Sequence, residues 1–158
     1  MQDKLRKILK YYGEEAQAKK SREELSELTI GLIKEDTENI KEEIADVKVM
    51  TKQLLMFEDM NLEVYKEWKN YFERMKPEND KERIERTLSV ILVVIQERIL
   101  LEEIWEIGED IAALEYYLDR YMDINNISKE EIEKEMERKI NRQLERIERE
   151  KVNDMGKL

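Results

Sequence analysis

Apolar residues recur three or four positions apart along most of this chain, with charged residues between them, and that spacing is typical of amphipathic α-helices. The pattern predicts seven helices, with an N-cap at Asp36 or Thr37, a second at Asn61 and a capping box that begins at Ser128. The predicted helices cover about residues 4–12, 14–34, 38–59, 62–75, 80–104, 108–122 and 128–151.

The fifth predicted helix contains the longest apolar run, "LSVILVVI", residues 88–95. A helix that is apolar nearly all round is usually buried on several sides, or it contacts another subunit. The run is far shorter than the roughly 20 residues that cross a bilayer. The first fifteen residues also lack the apolar segment of a signal peptide. We therefore expect a cytoplasmic protein without a membrane partner.

Composition supports an all-α fold, an antiparallel helical bundle. Of the 158 residues, 43% are charged, and the chain has only 4 Gly and 1 Pro. A net charge of −10 disfavours nucleic acid as a partner. Cysteine and histidine are both absent, which excludes thiolate metal sites and Ser-His or Cys-His catalysis. Any chemistry must use carboxylates, Lys, Arg, Tyr or a bound metal.

Pro77 divides the chain into two predicted helical units, residues 1–76 and 77–158. The segment "EEIADV" in the first unit resembles "EDIAAL" in the second, which aligns Glu42 with Glu109 and Ile44 with Ile111. Two tandem helical hairpins packed as an intrachain pseudo-dimer would explain this likeness. Chance similarity between amphipathic helices of biased composition is the alternative.

Four carboxylates lie on the apolar stripes of the second and third helices. Glu24 precedes Leu28 by one helical turn, and Glu27 lies on the same side of that helix. On the third helix, Glu43 and Asp46 stand in the apolar row in the same way. If the two helices are antiparallel neighbours across their short turn, all four carboxylates converge.

Converging acids without a counter-ion would repel one another and take up protons. A hard cation removes that conflict, and ligands that are all oxygen favour Mg²⁺, or alternatively Mn²⁺. In the other interpretation, the helices are rotated and the acids point to solvent.

The two acidic segments resemble the signature of the MazG-type all-α nucleoside triphosphate pyrophosphohydrolases, E-E-x-x-E followed after a spacer by E-x-x-D. Here it reads "EELSE", residues 23–27, then fifteen intervening residues, then "EIAD", residues 43–46. "YYGEEAQ" and "KINRQLERIE" resemble flanking segments of small phage-type members. In those members a short loop precedes the last helix, whereas roughly 60 residues intervene here.

The resemblance implies a MazG-like bundle in which Glu24, Glu27, Glu43 and Asp46 bind Mg²⁺ and the metal holds a triphosphate. Glu23, and Glu24 itself, would act in catalysis, with Glu23 either supporting the metal ligands from outside or helping to position the attacking water. The reaction would release pyrophosphate and a nucleoside monophosphate, in nucleotide-pool control or phage metabolism.

The segments that carry the resemblance also contain candidate substrate contacts. Lys139 and Arg142 are candidate phosphate ligands, Asn141 is a candidate polar contact, and Gln17 is a candidate contact for the base or sugar. The alternative for the two basic residues is a surface ladder of ion pairs with glutamates one turn away.

In this superfamily, the sites form between pairs of helical hairpins, usually in dimers, so we expect a homodimer or an intrachain pseudo-dimer. If the second unit is a repeat, it has lost the site: under the repeat alignment Thr87, Val90 and Ala113 replace three of the acids, and Asp110 replaces Glu43. Two other functions stay open. One is a preference for dUTP or dCTP, as in a related branch, and the other is an inactive helical interaction module.

Overall fold

A computed structural model describes residues 1–157 and contains no strand within that range. Residues 1–157 fold into seven α-helices and one short 3₁₀ helix, which confirms the predicted all-α class. The helices are α1 Gln2–Tyr12, α2 Glu14–Lys34, α3 Thr37–Leu54, α4 Leu62–Arg74, α5 Lys81–Leu100, α6 Gly108–Ile124 and α7 Lys129–Met155, and the 3₁₀ helix is Ile104–Glu106.

The helix starts follow the capping signals of the sequence. Asp36 accepts a hydrogen bond from the Asn39 N–H, so it is the cap of α3. The Ser128 side chain accepts from the Glu131 N–H at the start of α7, as the capping-box pattern predicts. The predicted starts of these two helices are confirmed to within one residue.

Two helices end earlier than predicted, α3 beside a long-range hydrogen bond and α5 in a turn held by local backbone hydrogen bonds. α3 ends at Leu54 rather than near residue 59, and Glu14 of α2 accepts a 2.7 Å hydrogen bond from the Glu58 N–H in the turn that follows. α5 ends at Leu100 rather than near residue 104, and Glu102 then adopts a left-handed conformation with φ 60°.

The helices pack as two antiparallel hairpins, α2–α3 and α5–α6, with α2 lying against α5. α4 covers α6, and α7 closes the bundle against α3 and α1. Both halves of the chain contribute to one hydrophobic core, with Leu28 and Ile44 from the first and Leu92 and Ile111 from the second. The division at Pro77 stays a prediction, since the two units share this core.

The α5 helix packs against α2 and α6, but part of its surface stays exposed, so it is less buried than its apolar run predicts. Leu88, Leu92 and Ile95 face the core, but Val90 and Val93 are 58% and 55% exposed. On the neighbouring α2, Ile30 and Ile33 are exposed as well. We call the exposed residues Ile30, Ile33, Val90, Val93 and Leu100 the apolar face. Within residues 1–157, no helix has both the length and the apolar character needed to cross a membrane.

Candidate metal centre

The centre is built on the α2–α3 hairpin, whose two helices are joined by Glu35 and Asp36 alone. Glu35 adopts a left-handed conformation with φ 54°, which ends α2, and the side chain of Asp36 then caps α3. Such a short connection makes the helices antiparallel neighbours. The close approach continues at Gly31, where an added Cβ would lie 3.4 Å from Cγ1 of Ile40.

Three carboxylates from the two helices converge. One oxygen each from Glu24, Glu27 and Glu43 lies within 4.8 Å of the other two. Glu24 is buried, Glu43 is half-buried, and Glu27 is exposed, so the cluster has a closed side and a side open to solvent. Within residues 1–157, this is the only group of three or more metal-type side chains at such distances.

Burial and repulsion between neighbouring carboxylates raise the pKa of two of these acids, Glu24 and Glu43. Burial, together with the neighbouring carboxylates of Glu27, Asp46 and Glu24, raises the pKa of Glu43 to about 7. Burial also raises the pKa of Glu24, although the Lys20 ammonium opposes this shift. The second oxygen of Glu43 is buried without a hydrogen-bond partner in the described chain. Protonation relieves the repulsion between these carboxylates, and a bound cation would relieve it as well.

Asp46 lies beside the three glutamates but is paired with a lysine. Its Oδ2 accepts a 2.5 Å hydrogen bond from Nζ of Lys139, which α7 brings to α3 across 93 residues of sequence. Burial raises the pKa of Asp46, and the Lys139 ammonium opposes that shift. The structure thus brings three of the four predicted ligands together and places the fourth under a cationic side chain.

A second ammonium group was missed by sequence reasoning. Nζ of Lys20 lies 2.7 Å from Oε1 of Glu24 and 3.2 Å from Oε2 of Glu23. The sequence feature that indicates this contact is the spacing K-x-x-E-E, which puts Lys20 one turn before Glu24 on α2. Adjacent Lys19 carries the same charge, and only the rotation of α2 distinguishes the two.

The other predicted residues have different surroundings. Glu23 is exposed beside Lys20, and Arg142 is exposed on α7. Asn141 accepts a 2.8 Å hydrogen bond from Lys4 of α1 at the surface. Gln17 is 5% exposed, and its Oε1 has no partner in the described chain. Gln17 lies seven residues before Glu24, which is about 10 Å along α2. Of the predicted substrate contacts, only Lys139 contacts one of the four acids directly.

The three glutamates fit a hard divalent cation. One oxygen each from Glu24, Glu27 and Glu43 lies within 4.8 Å of the other two, so side-chain rotations could bring all three to one divalent cation. Carboxylate oxygens with waters are the donor set that Mg²⁺ and Mn²⁺ prefer.

The corresponding position of the second hairpin is neutralised from within the chain. Asp110, which the repeat alignment matches to Glu43, lies 2.9 Å from Nε of Arg98 on α5. The same guanidinium pairs with Glu103 and Glu106. Arg98 thus pairs with Asp110 directly, whereas no basic side chain pairs with Glu43 in the part of the chain that the structure describes.

A separate cleft of about 570 Å³ lies between α3, α4, α6 and α7. None of the four predicted metal ligands lines it. Lys48, which lines the cleft, pairs at 3.0 Å with Asp119 of α6 and is therefore directed away from the acids.

Comparison of the chain with protein-family models, with curated proteins and with solved structures finds no match.

Proposed function

We propose that this protein is a Mg²⁺-dependent nucleoside triphosphate pyrophosphohydrolase. The observation that carries the proposal is the convergence of Glu24, Glu27 and Glu43 on one partly buried point of the α2–α3 hairpin. The E-E-x-x-E and E-x-x-D pattern, which resembles the MazG-type enzymes, supports the same conclusion. These enzymes cleave between the α and β phosphates.

The three glutamates would hold Mg²⁺, and Asp46 would join them when its lysine is withdrawn. When bound, the metal would neutralise phosphate charge and lower the pKa of a coordinated water. Lys139, already 2.5 Å from Asp46, is within reach of a phosphate held at the cluster. Glu23 lies next to Glu24 with its side chain 57% exposed, where it can orient the attacking water and accept its proton.

The arrangement of hairpins supports a MazG-like bundle with a silent second repeat. α2–α3 carries the acids, α5–α6 packs against it through α2 and α5, and Arg98 neutralises Asp110 in the second hairpin. We infer that the second hairpin serves as a built-in structural partner of the first.

The test is incubation of the purified protein and Mg²⁺ with a full panel of ribo- and deoxyribonucleoside triphosphates, dUTP and dCTP included, followed by product identification. We expect a nucleoside monophosphate and pyrophosphate. Glu24→Gln and Asp46→Asn should each lower kcat/KM about 100-fold or more, because each removes several kcal/mol of charge stabilisation.

Glu42→Gln is the matched control, since its side chain is 58% exposed and neighbours Glu43 without joining the cluster. It should retain activity. Absence of turnover on every triphosphate, with Mg²⁺ and with Mn²⁺, would show that the proposed reaction is wrong.

The apolar face favours a second candidate function, an inactive module for helix-mediated association. Exposed valines on α5 and isoleucines on α2 are typical of a surface that contacts another helix. This function predicts self-association without nucleotide turnover and without a metal-dependent rise in melting temperature.

A further inference from the structure

Two lysines approach the acidic cluster from different helices. Lys20 belongs to α2 and contacts Glu24 at 2.7 Å, whereas Lys139 belongs to α7 and contacts Asp46 at 2.5 Å. Both acid partners are largely removed from water, since their side chains are only 6% and 24% exposed. These pairs differ from the solvated ion pairs that cover the rest of the surface, which contribute little.

Lys20 has two carboxylates within reach, and they differ in their surroundings. Glu24 is buried and belongs to the cluster, whereas the Glu23 side chain is 57% exposed and lies on the solvent side, 3.2 Å from the same Nζ. The Lys20 side chain is itself 41% exposed. A small rotation about its own bonds can therefore carry the ammonium from Glu24 toward solvent, while Glu23 still holds it.

A divalent cation at the three glutamates would drive that rotation. The carboxylate of Glu24 would then coordinate the metal, and an ammonium group a few ångströms from a divalent ion would be repelled. The displaced ammonium stays at the open side of the cluster, where Glu27 is exposed. An anion bound to the metal from solvent would meet it there.

We propose that Lys20 is an exchangeable counter-ion, which neutralises Glu24 in the metal-free protein and binds a phosphate oxygen of a polyphosphate in the loaded protein. This role rests on the proposed function. In it, the ligand of Lys20 is the charged polyphosphate chain of the nucleotide.

An exchangeable counter-ion has opposite effects on two binding reactions. It competes with a metal that binds alone, because both need Glu24. It assists a polyphosphate that binds with the metal, because it donates a charged hydrogen bond to phosphate. A lysine that only stabilises the helix would change neither affinity selectively.

The experiment is calorimetric titration of wild-type protein and Lys20→Met, first with Mn²⁺ alone and then with inorganic pyrophosphate at saturating Mn²⁺. We expect Mn²⁺ to bind the variant about 3- to 10-fold more tightly, and pyrophosphate about 10-fold more weakly or worse, given the strength of hydrogen bonds to charged groups. Lys20→Gln repeats the test with a polar side chain.

Lys19→Met is the matched control, because Lys19 is exposed on the same turn of α2. It should leave both affinities within about 2-fold of wild type. If wild type binds Mn²⁺ and Lys20→Met shifts both affinities in one direction, or neither, the exchange role is wrong and the metal centre stands. If wild type binds no Mn²⁺, the proposed function is wrong and the exchange role falls with it.

Discussion

The carboxylate of Glu43 carries the clearest electrostatic conflict in the structure. One of its oxygens is buried without a hydrogen-bond partner in the described chain, and three further acids lie nearby. Burial, together with these neighbouring acids, raises its pKa from the ordinary 4.5 to about 7. In the metal-free protein at neutral pH, Glu43 is therefore protonated in a large fraction of molecules.

This conflict makes the stability of the metal-free protein depend on pH. Because the folded state binds the Glu43 proton more tightly than the unfolded state, the resulting stabilisation is fully present below pH 4.5 and is lost as the pH rises through 7. We expect the free energy of unfolding to fall by about 1–2 kcal/mol between pH 5.5 and 8, a value reduced for solvent screening. Urea denaturation with a chelator present measures it.

Two comparisons locate the effect at this residue. Glu43→Gln should flatten the profile between pH 5.5 and 8, and added Mg²⁺ should restore the stability of the wild type at pH 8. Glu135, whose pKa is lowered by its hydrogen bond to Arg138, acts only at more acidic pH and leaves this window unaffected. A Glu43→Gln profile as steep as that of the wild type would contradict this explanation.

The sequence predicts which acidic residues approach one another, but it does not predict which lysines pair with them. Glu24, Glu27 and Glu43 follow from position on an apolar stripe, which fixes the direction of a side chain. Lys20 and the Asp46–Lys139 pair depend on helix rotation and on a contact across 93 residues. In a chain with 29 basic and 39 acidic residues, local spacing does not select such pairs.

At the scale of elements, helix starts were more predictable than helix ends. A start is encoded locally by one capping side chain, as at Asn61, which accepts from the Val64 N–H. The end of α3 depends on the hydrogen bond between Glu14 and the Glu58 N–H, whose residues are 44 apart in sequence. No local pattern contains that information.

The crossing of α4 and α6 depends on a glycine at the first position of α6. A Cβ added to Gly108 would lie 3.0 Å from the Asn61 carbonyl oxygen and 3.1 Å from the Tyr65 nitrogen, both backbone atoms. Gly108→Ala should therefore lower the free energy of unfolding by about 1–3 kcal/mol, since the helices must separate. Chemical denaturation measures the change.

Gly31→Ala is the control, because its Cβ would first meet a side-chain atom, at 3.4 Å. Alanine favours the helical conformation more than glycine does, and this gain offsets the tighter contact. We therefore expect the free energy of unfolding to change by less than about 1 kcal/mol in either direction. Equal losses from the two variants would show that close backbone packing at Gly108 is not the cause.

At the scale of the whole molecule, the two hairpins share one core but leave the apolar face exposed. The all-α class and the number of helices followed from composition and periodicity. The exposure of Val90 and Val93 could not be predicted from the sequence. The run "LSVILVVI" is apolar on nearly all sides of the helix, although only some of those sides are buried in the fold. Only the packing of α5 against α2 and α6 decides which side is covered.

We expect the apolar face to join two copies of the chain. The double variant Val90→Lys/Val93→Lys should shift a dimer to a monomer in sedimentation equilibrium without changing helix content, since like charges would then meet across the contact. Glu82→Lys, at an 80% exposed position near the start of the same helix, should leave the dimer intact. A wild-type protein that is monomeric at all concentrations would contradict the expected homodimer.

The distribution of charge along the chain also bears on the order of folding. All four acids lie on the α2–α3 hairpin, whereas Lys139 follows Asp46 by 93 residues. During synthesis, this local hairpin emerges well before the lysine that neutralises Asp46. The nascent hairpin must then hold crowded negative charge with Lys20, protons or a divalent ion as its available counter-ions. A metal that serves the mature site would thereby also favour early formation of the hairpin.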